Sequence, residues 1–246
     1  MRRLEHSERR NGRWTRLRRG AVRFVVIVAL TVHAGCASRE IRLTHDDLTA
    51  LRAATVGIAR HPPPVFDVET PGNSTIGSVS GVSGGVLIFP GRSAGSGPID
   101  AEYGIDDPAI AVRARVLDAL AFEVGAIRAP TEVSLPPDDR LDAVVASVGR
   151  EGWLLDVRTV RWGLVADTKL WTRYRVSVGA RARLIDLAGG RVAWQGFCDA
   201  TEPDAPSRST IPELTARDAE SLKTRLNEAA QRCGASLVEQ LFSGVR

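Results

Sequence analysis

The fold of this chain is decided by one stretch, Leu170-Trp-Thr-Arg-Tyr-Arg-Val-Ser-Val-Gly-Ala-Arg-Ala-Arg-Leu184. Apolar and polar side chains alternate along it with a period of two, which is typical of a β-strand with one buried face. The apolar set is Tyr174, Val176, Val178, Ala180, Ala182 and Leu184, and the opposite set is Arg173, Arg175, Ser177, Gly179, Arg181 and Arg183. We therefore predict a half-buried antiparallel strand whose arginine row, Arg173, Arg175, Arg181 and Arg183, faces solvent. A plain solvated face is favoured, and the alternative is a contact face for peptidoglycan carboxylates, anionic lipid headgroups or an acidic partner.

Two neighbouring strands are predicted on either side of this one along the chain. Trp153–Trp162 precedes it, and Arg191–Cys198 follows a turn at Asp186–Gly190. Further upstream, Ala54–Ala59 predicts a short strand, and Pro130–Pro136 predicts a short edge strand because prolines flank it.

Helices are predicted between and after these strands. Their starting signals are Thr44 with Asp47, Asp107-Pro108, Pro137-Asp138-Asp139, and Thr210 with Glu213, the last being a capping box. The helix after Pro108 is expected to bury Ile110, Ala114, Leu117, Leu120 and Val124, and the final helix is expected to run to Phe242. The order β-α-β-α-β-β-β-α predicts an α+β fold, with one mainly antiparallel sheet and helices on one face.

The first 35 residues have the three parts of a secretory signal. Nine arginines against two glutamates precede an apolar run at Phe24–Val32, and small residues follow. This run is too short to cross a bilayer, which needs about 20 apolar residues. We predict a signal peptide over 1–35, a tether and short helix over 36–53, and a single domain over 54–242.

The sequence Ala34-Gly35-Cys36 resembles the lipobox of bacterial lipoproteins, although His33 departs from the usual aliphatic residue. The resemblance implies that Cys36 carries lipid, with an uncleaved signal anchor as the alternative. Two or three acyl chains would hold the chain stably on a membrane. Ala37-Ser38 lacks the aspartate that retains similar lipoproteins in the inner membrane, which favours the periplasmic side of the outer membrane.

The remaining two cysteines predict a disulfide, and the charge distribution argues against a nucleic-acid-binding protein. An oxidising periplasm favours a disulfide between Cys198 and Cys233, with two buried free thiols as the alternative. From Cys36 onward the chain has 24 basic and 27 acidic residues, since nine of its 33 basic and two of its 29 acidic residues precede that point. The positive charge therefore lies in the signal, and we expect no nucleic-acid partner. We also predict no metal and no cofactor.

Residues 70–98 form a Gly-rich insertion with no charged side chain before Arg92. Composition favours a flexible loop, and the alternative is an apolar segment that inserts into a membrane or an oligomer wall.

Few side chains outside the arginine row suggest binding chemistry. Trp162 and Trp171 are candidates for stacking on a ligand, although tryptophan in a strand is more often part of the core. His61 is expected to be exposed in a loop. Three acidic pairs at 46–47, 106–107 and 138–139 are expected to mark helix starts rather than a metal site.

The run from Trp162 through Thr172-Arg-Tyr174, Leu184-Ile-Asp186 and Gly190-Arg-Val-Ala-Trp194 resembles a group of bacterial envelope lipoproteins. The group includes the curli-secretion lipoprotein and is similar to the N-terminal domain of the Tol translocation protein. The resemblance covers about residues 54–242 and implies no catalytic residues. It implies a non-catalytic role in envelope assembly, or in a secretion or transport complex, with an envelope protein complex or a homo-oligomer as partner. The alternatives are a binding module for an anionic or glycan ligand and, least favoured, an envelope hydrolase.

Overall fold

A six-stranded mixed sheet organises the chain in a computed structural model, which describes residues 41–69, 99–135, 139–167, 170, 172–203 and 208–244. The strands are β1 Thr55–Arg60, β2 Asp67–Val68, β3 Ile127–Ser134, β4 Trp153–Ala166, β5 Tyr174–Asp186 and β6 Arg191–Thr201. Their spatial order is β3-β1-β4-β5-β6, and β2 pairs with β4. The signal region, Cys36 and the Gly-rich insertion lie outside the described residues.

The three long strands form an antiparallel meander, as the alternating sequence predicts. β4 pairs with β5 from Trp153 opposite Asp186 to Ala166 opposite Tyr174, with a register shift between Thr159 and Arg161. β6 pairs antiparallel with β5. β1 runs parallel to both β3 and β4, so the predicted edge strand is present and parallel. The predicted α+β class with a mainly antiparallel sheet is confirmed.

The helices are α1 His45–Leu51, α2 Ile99–Tyr103, α3 Ala109–Val124, α4 Leu141–Val148 and α5 Ile211–Phe242. α3 and α5 cover the face of the sheet that carries Leu155, Leu184 and Trp194, which we call the helix face. α4 packs against the opposite face, where Val144 and Val145 meet Leu154 and Ile185. The prediction of helices on one face therefore holds for the two long helices. It is wrong for α4, which packs on the opposite face.

The buried stripe of α3 matches the predicted one at Leu117 and Leu120 and differs from it nearer the start of the helix. Val112, Arg113 and Val116 are buried, whereas Ile110 is 50% exposed and Ala114 is exposed. Arg113 can be buried because its Nη1 donates to the carbonyl oxygen of Ala59 at 3.1 Å and its Nη2 to Glu132 at 2.7 Å. A search for apolar side chains alone passes over an arginine on the buried face, and the predicted stripe is rotated as a result.

Two of the four predicted helix starts carry side-chain caps. Thr44 with Asp47 closes a capping box on α1, and Thr210 with Glu213 closes another on α5. α5 ends at Phe242 as predicted, but its backbone leaves helical geometry at Ala216–Ala219. Within the described residues, no helix is both long enough and apolar enough to span a membrane.

Candidate functional site

A buried carboxylate, Asp156 of β4, lies beside His61, Arg181 and Arg183. Its side chain has no exposed area. Oδ1 accepts a hydrogen bond from His61 Nε2 at 2.5 Å, and Oδ2 accepts one from Arg183 Nε at 2.8 Å, with Arg183 Nη2 at 2.5 Å. Burial raises the pKa of Asp156, but the His61 hydrogen bond and the Arg183 charge outweigh this effect and lower the pKa from 3.8 to about 2. Asp156 is therefore ionised at neutral pH, with both oxygens engaged.

A second carboxylate, Asp139, extends this group toward solvent. Its Oδ2 lies 2.8 Å from Arg181 Nη1 and 3.1 Å from Arg158 Nη1. Burial raises the pKa of Asp139, and the neighbouring Arg181 guanidinium lowers it to below its ordinary value. We call this set, which consists of Asp139, Asp156, Arg158, Arg181 and Arg183, the arginine cluster.

Strand register explains why these side chains meet. Asp156 is directly opposite Arg183, and Arg158 is directly opposite Arg181, across the β4–β5 pair. Side chains at such paired positions lie on the same face, within about 5.5 Å at Cβ. His61 follows the end of β1 at Arg60, next to β4. The cluster therefore lies on the face opposite α3 and α5, beside the small core under α4.

The structure corrects the prediction of a solvated arginine row. Arg183 is buried, and the side chain of Arg181 is only 16% exposed. Arg173 and Arg175 lie toward the other end of β5, where their Nη1 atoms donate to the carbonyl oxygens of Arg208 and Glu202 at 3.0 and 3.2 Å. The predicted contact face is thus divided between two hydrogen-bonded groups.

The tryptophan candidates are not brought together as a platform. Trp162 is 2% exposed, its Nε1 donates to the carbonyl oxygen of Pro64 at 2.8 Å, and its ring meets Phe66 edge-on at 5.1 Å. It is a core residue, which leaves no open ring face for a ligand. Trp171 lies outside the described residues.

His61 is the site residue that the sequence interpretation missed. The predicted exposed loop histidine has a side chain that is only 5% exposed and is bonded to Asp156. The available signal was Asp156 itself, because a carboxylate inside the apolar run Trp153-Leu-Leu-Asp-Val157 needs a buried partner.

The acidic pairs serve as helix starts and ion-pair partners. Asp47 completes the α1 capping box, Asp107 Oδ1 accepts from the Ala109 backbone N–H at 2.9 Å, and Asp139 belongs to the arginine cluster. Asp139 is not the cap of α4, whose N-cap is Arg140 without a side-chain hydrogen bond. Among the described residues, no group of three or more His, Cys, Asp or Glu side chains could hold a metal ion.

A disulfide joins Cys198 of β6 to Cys233 of α5, with the two Cα atoms 5.2 Å apart. It ties the last helix to an outer strand of the sheet, and the predicted pairing is confirmed.

Beyond the arginine cluster, the same face of the sheet carries a cross-strand ion pair and two exposed apolar side chains. The Arg161 side chain passes over Gly179 of β5 and forms an ion pair with Asp199 on β6. The absence of a side chain at Gly179 makes room for it, because a Cβ there would lie 2.9 Å from Arg161 Cγ. Val160 is 48% exposed and Phe197 is 42% exposed. Phe197 lies directly opposite Arg181 in the β5–β6 register.

Comparison with known proteins gives structural neighbours only. No family model and no curated protein matches the chain. A DUF330-family protein from Xanthomonas campestris is 11% identical, with a TM-score of 0.35, covering 82% of this chain and 91% of its own. The PelC dodecamer from Paraburkholderia phytofirmans is 14% identical, with a TM-score of 0.32, covering 78% and 90%. A candidate lipoprotein from Caulobacter crescentus is 18% identical, with a TM-score of 0.29, covering 56% and 86%.

Each of these TM-scores is below 0.5, so the likeness establishes neither a family nor a function for this chain. The resemblance to curli-secretion and Tol proteins stays a prediction.

Proposed function

We propose that the chain is a lipid-anchored, non-catalytic lipoprotein on the periplasmic side of the outer membrane. It would act in envelope assembly or as an accessory to a secretion or transport complex. The observation that carries the proposal is Cys36, placed directly after a basic segment, an apolar run and the small residues Ala34-Gly35.

The start of the folded domain supports the proposal. Ile41 forms an antiparallel bridge with Gln195 of β6, whose backbone N–H donates to the Ile41 carbonyl oxygen at 3.0 Å. Next along β6, the side-chain amide of Gln240 binds the Phe197 backbone N–H and carbonyl at 3.1 and 2.8 Å. The Gln240 side chain therefore occupies the edge of β6 next to the position where Ile41 pairs.

The short distance from Cys36 to Ile41 limits how far the domain can stand from a membrane. Five residues of extended chain span at most about 17 Å. A lipid on Cys36 would therefore hold the domain close to the bilayer surface.

Metabolic labelling with radioactive palmitate tests the anchor. Wild type and a Ser38→Ala control should incorporate label, and Cys36→Ser should not. Globomycin should cause a larger precursor of both wild type and Ser38→Ala to accumulate, and should not change the size of Cys36→Ser. Unlabelled wild-type protein, or protein found in the cytosol, would refute the proposal.

Membrane fractionation tests the choice of membrane. Wild type should sediment with outer-membrane markers, and Ala37→Asp should move toward the inner-membrane fraction. Wild-type protein in the inner-membrane fraction would refute the outer-membrane assignment while leaving the lipid anchor intact.

A further inference from the structure

The guanidinium of Arg181 has one donor edge without an acceptor. Its Nη1 is bound to Asp139 at 2.8 Å. Its Nε and Nη2 are buried and have no hydrogen-bond partner among the described residues. Nη2 lies 3.7 Å from Asp156 Oδ2, which is too far for a hydrogen bond. Nε and Nη2 form an edge of parallel N–H donors, the arrangement that binds the two oxygens of a carboxylate.

The corresponding edge of Arg183 has a carboxylate beside it, because Nε donates to Asp156 Oδ2 at 2.8 Å. Nη2 lies 2.5 Å from the same oxygen but makes no hydrogen bond of acceptable geometry. The neighbouring Arg181 is thus the guanidinium whose matching carboxylate is missing from the described part of the chain.

The net charge of the arginine cluster also favours the binding of an anion. Three guanidinium groups face two carboxylates in the arginine cluster, which leaves a net charge of +1 on side chains that are largely buried. A buried donor without an acceptor is unfavourable, and such groups mark positions where an ion or water completes the structure. One monoanion would neutralise the cluster.

We propose that the Nε–Nη2 edge of Arg181 binds the carboxylate of a small ligand that also carries an apolar group. The apolar group would contact Phe197, which is 42% exposed and directly opposite Arg181 on β6. The side chains of Asp139 and Arg158 are 29% and 38% exposed, so a ligand would have to displace this side of the cluster to reach the buried donor edge. This inference does not depend on the lipid anchor.

Calorimetric titration of the full chain in detergent tests the site, with benzoate, acetate and inorganic phosphate as probes at ionic strength held constant with chloride. Benzoate should bind more tightly than acetate because it adds contact with Phe197. Arg181→Lys keeps the charge but removes the parallel donors, and should weaken benzoate binding at least tenfold. Arg161→Lys is the matched control on the same face and should change the affinity less than twofold.

A second variant keeps the test independent of the buried arginine. Phe197→Ser alters an exposed side chain and should weaken benzoate binding while leaving acetate binding unchanged. The proposal is overturned if benzoate gives no saturable heat, if Arg181→Lys and Arg161→Lys lose equal affinity, or if phosphate binds and both carboxylates do not. Unchanged labelling of Cys36 in these variants would separate a failure here from a failure of the lipid anchor.

Discussion

Replacing Asp156 with Asn should produce a large and pH-dependent loss of stability. The substitution keeps the side-chain volume but removes the negative charge that faces Arg183 at 2.5–2.8 Å and His61 at 2.5 Å. Arg183 would then be buried without a counter-ion, and its side chain is only 7% exposed. Breaking a buried ion pair by removing one partner costs about 3–5 kcal/mol in the free energy of unfolding.

The pH dependence follows from the lowered pKa of Asp156. Because the folded-state pKa of about 2 lies below the ordinary value of 3.8, the ionised carboxylate stabilises the fold above pH 4. The shift corresponds to about 2 kcal/mol, of which about 1 kcal/mol is lost on lowering the pH to 3 and most of the rest by pH 2. The difference between wild type and Asp156→Asn should therefore narrow by these amounts as the pH falls.

Urea unfolding followed by circular dichroism at pH 7, 5 and 3 measures both effects. The matched control is Asp199→Asn, which breaks the exposed pair with Arg161, whose side chains are 54% and 57% exposed. Exposed pairs contribute about 0–1 kcal/mol, so the control should lie close to wild type at each pH. A deficit for Asp156→Asn that matches the control at pH 7, or that stays constant down to pH 3, would refute the assigned role of Asp156.

Three further changes test the fold elsewhere. Replacing both Cys198 and Cys233 with Ser should lower the free energy of unfolding by about 4 kcal/mol, since the disulfide closes a loop of 35 residues; urea unfolding with and without reductant should show an equal loss in wild type and none in the variant. Gly163→Ala should destabilise by about 2 kcal/mol or more, because φ is +152° and the added Cβ would overlap the Asp67 carbonyl; a melting temperature like that of wild type would contradict the β2–β4 pairing. Thr44→Ala should cost about 1 kcal/mol through loss of the α1 capping box, and urea unfolding with no measurable change would mean that α1 does not contribute to the cooperative fold.

Local patterns predicted the elements that depend on local physics. The alternation along β5 requires one buried face, whatever packs against it, and the capping boxes need only residues three positions apart. The disulfide between Cys198 and Cys233 followed from the number of cysteines and from the predicted oxidising compartment.

Contacts that depend on distant partners could not be predicted in the same way. His61 and Asp156 are 95 residues apart in sequence, and no spacing rule relates them. The buried stripe of α3 was displaced for the same reason, since Arg113 finds its acceptors on β1 and β3. A charged residue within an apolar stretch of sequence indicates that it needs a buried partner. The pairing of strands and the packing of helices determine which residue that partner is.

The arginine row shows how register changes the meaning of a pattern. On β5 alone, Arg181 and Arg183 alternate with apolar residues and predict a solvated face. β4 places Arg158 opposite the first and Asp156 opposite the second, so one arginine gains a buried counter-ion and the other faces a like charge. Asp139 compensates only part of that repulsion, through Nη1 of Arg181. The unbalanced charge and the unpaired donor edge of Arg181 therefore arise from one cause, the pairing of β4 with β5, and the proposed carboxylate site rests on both.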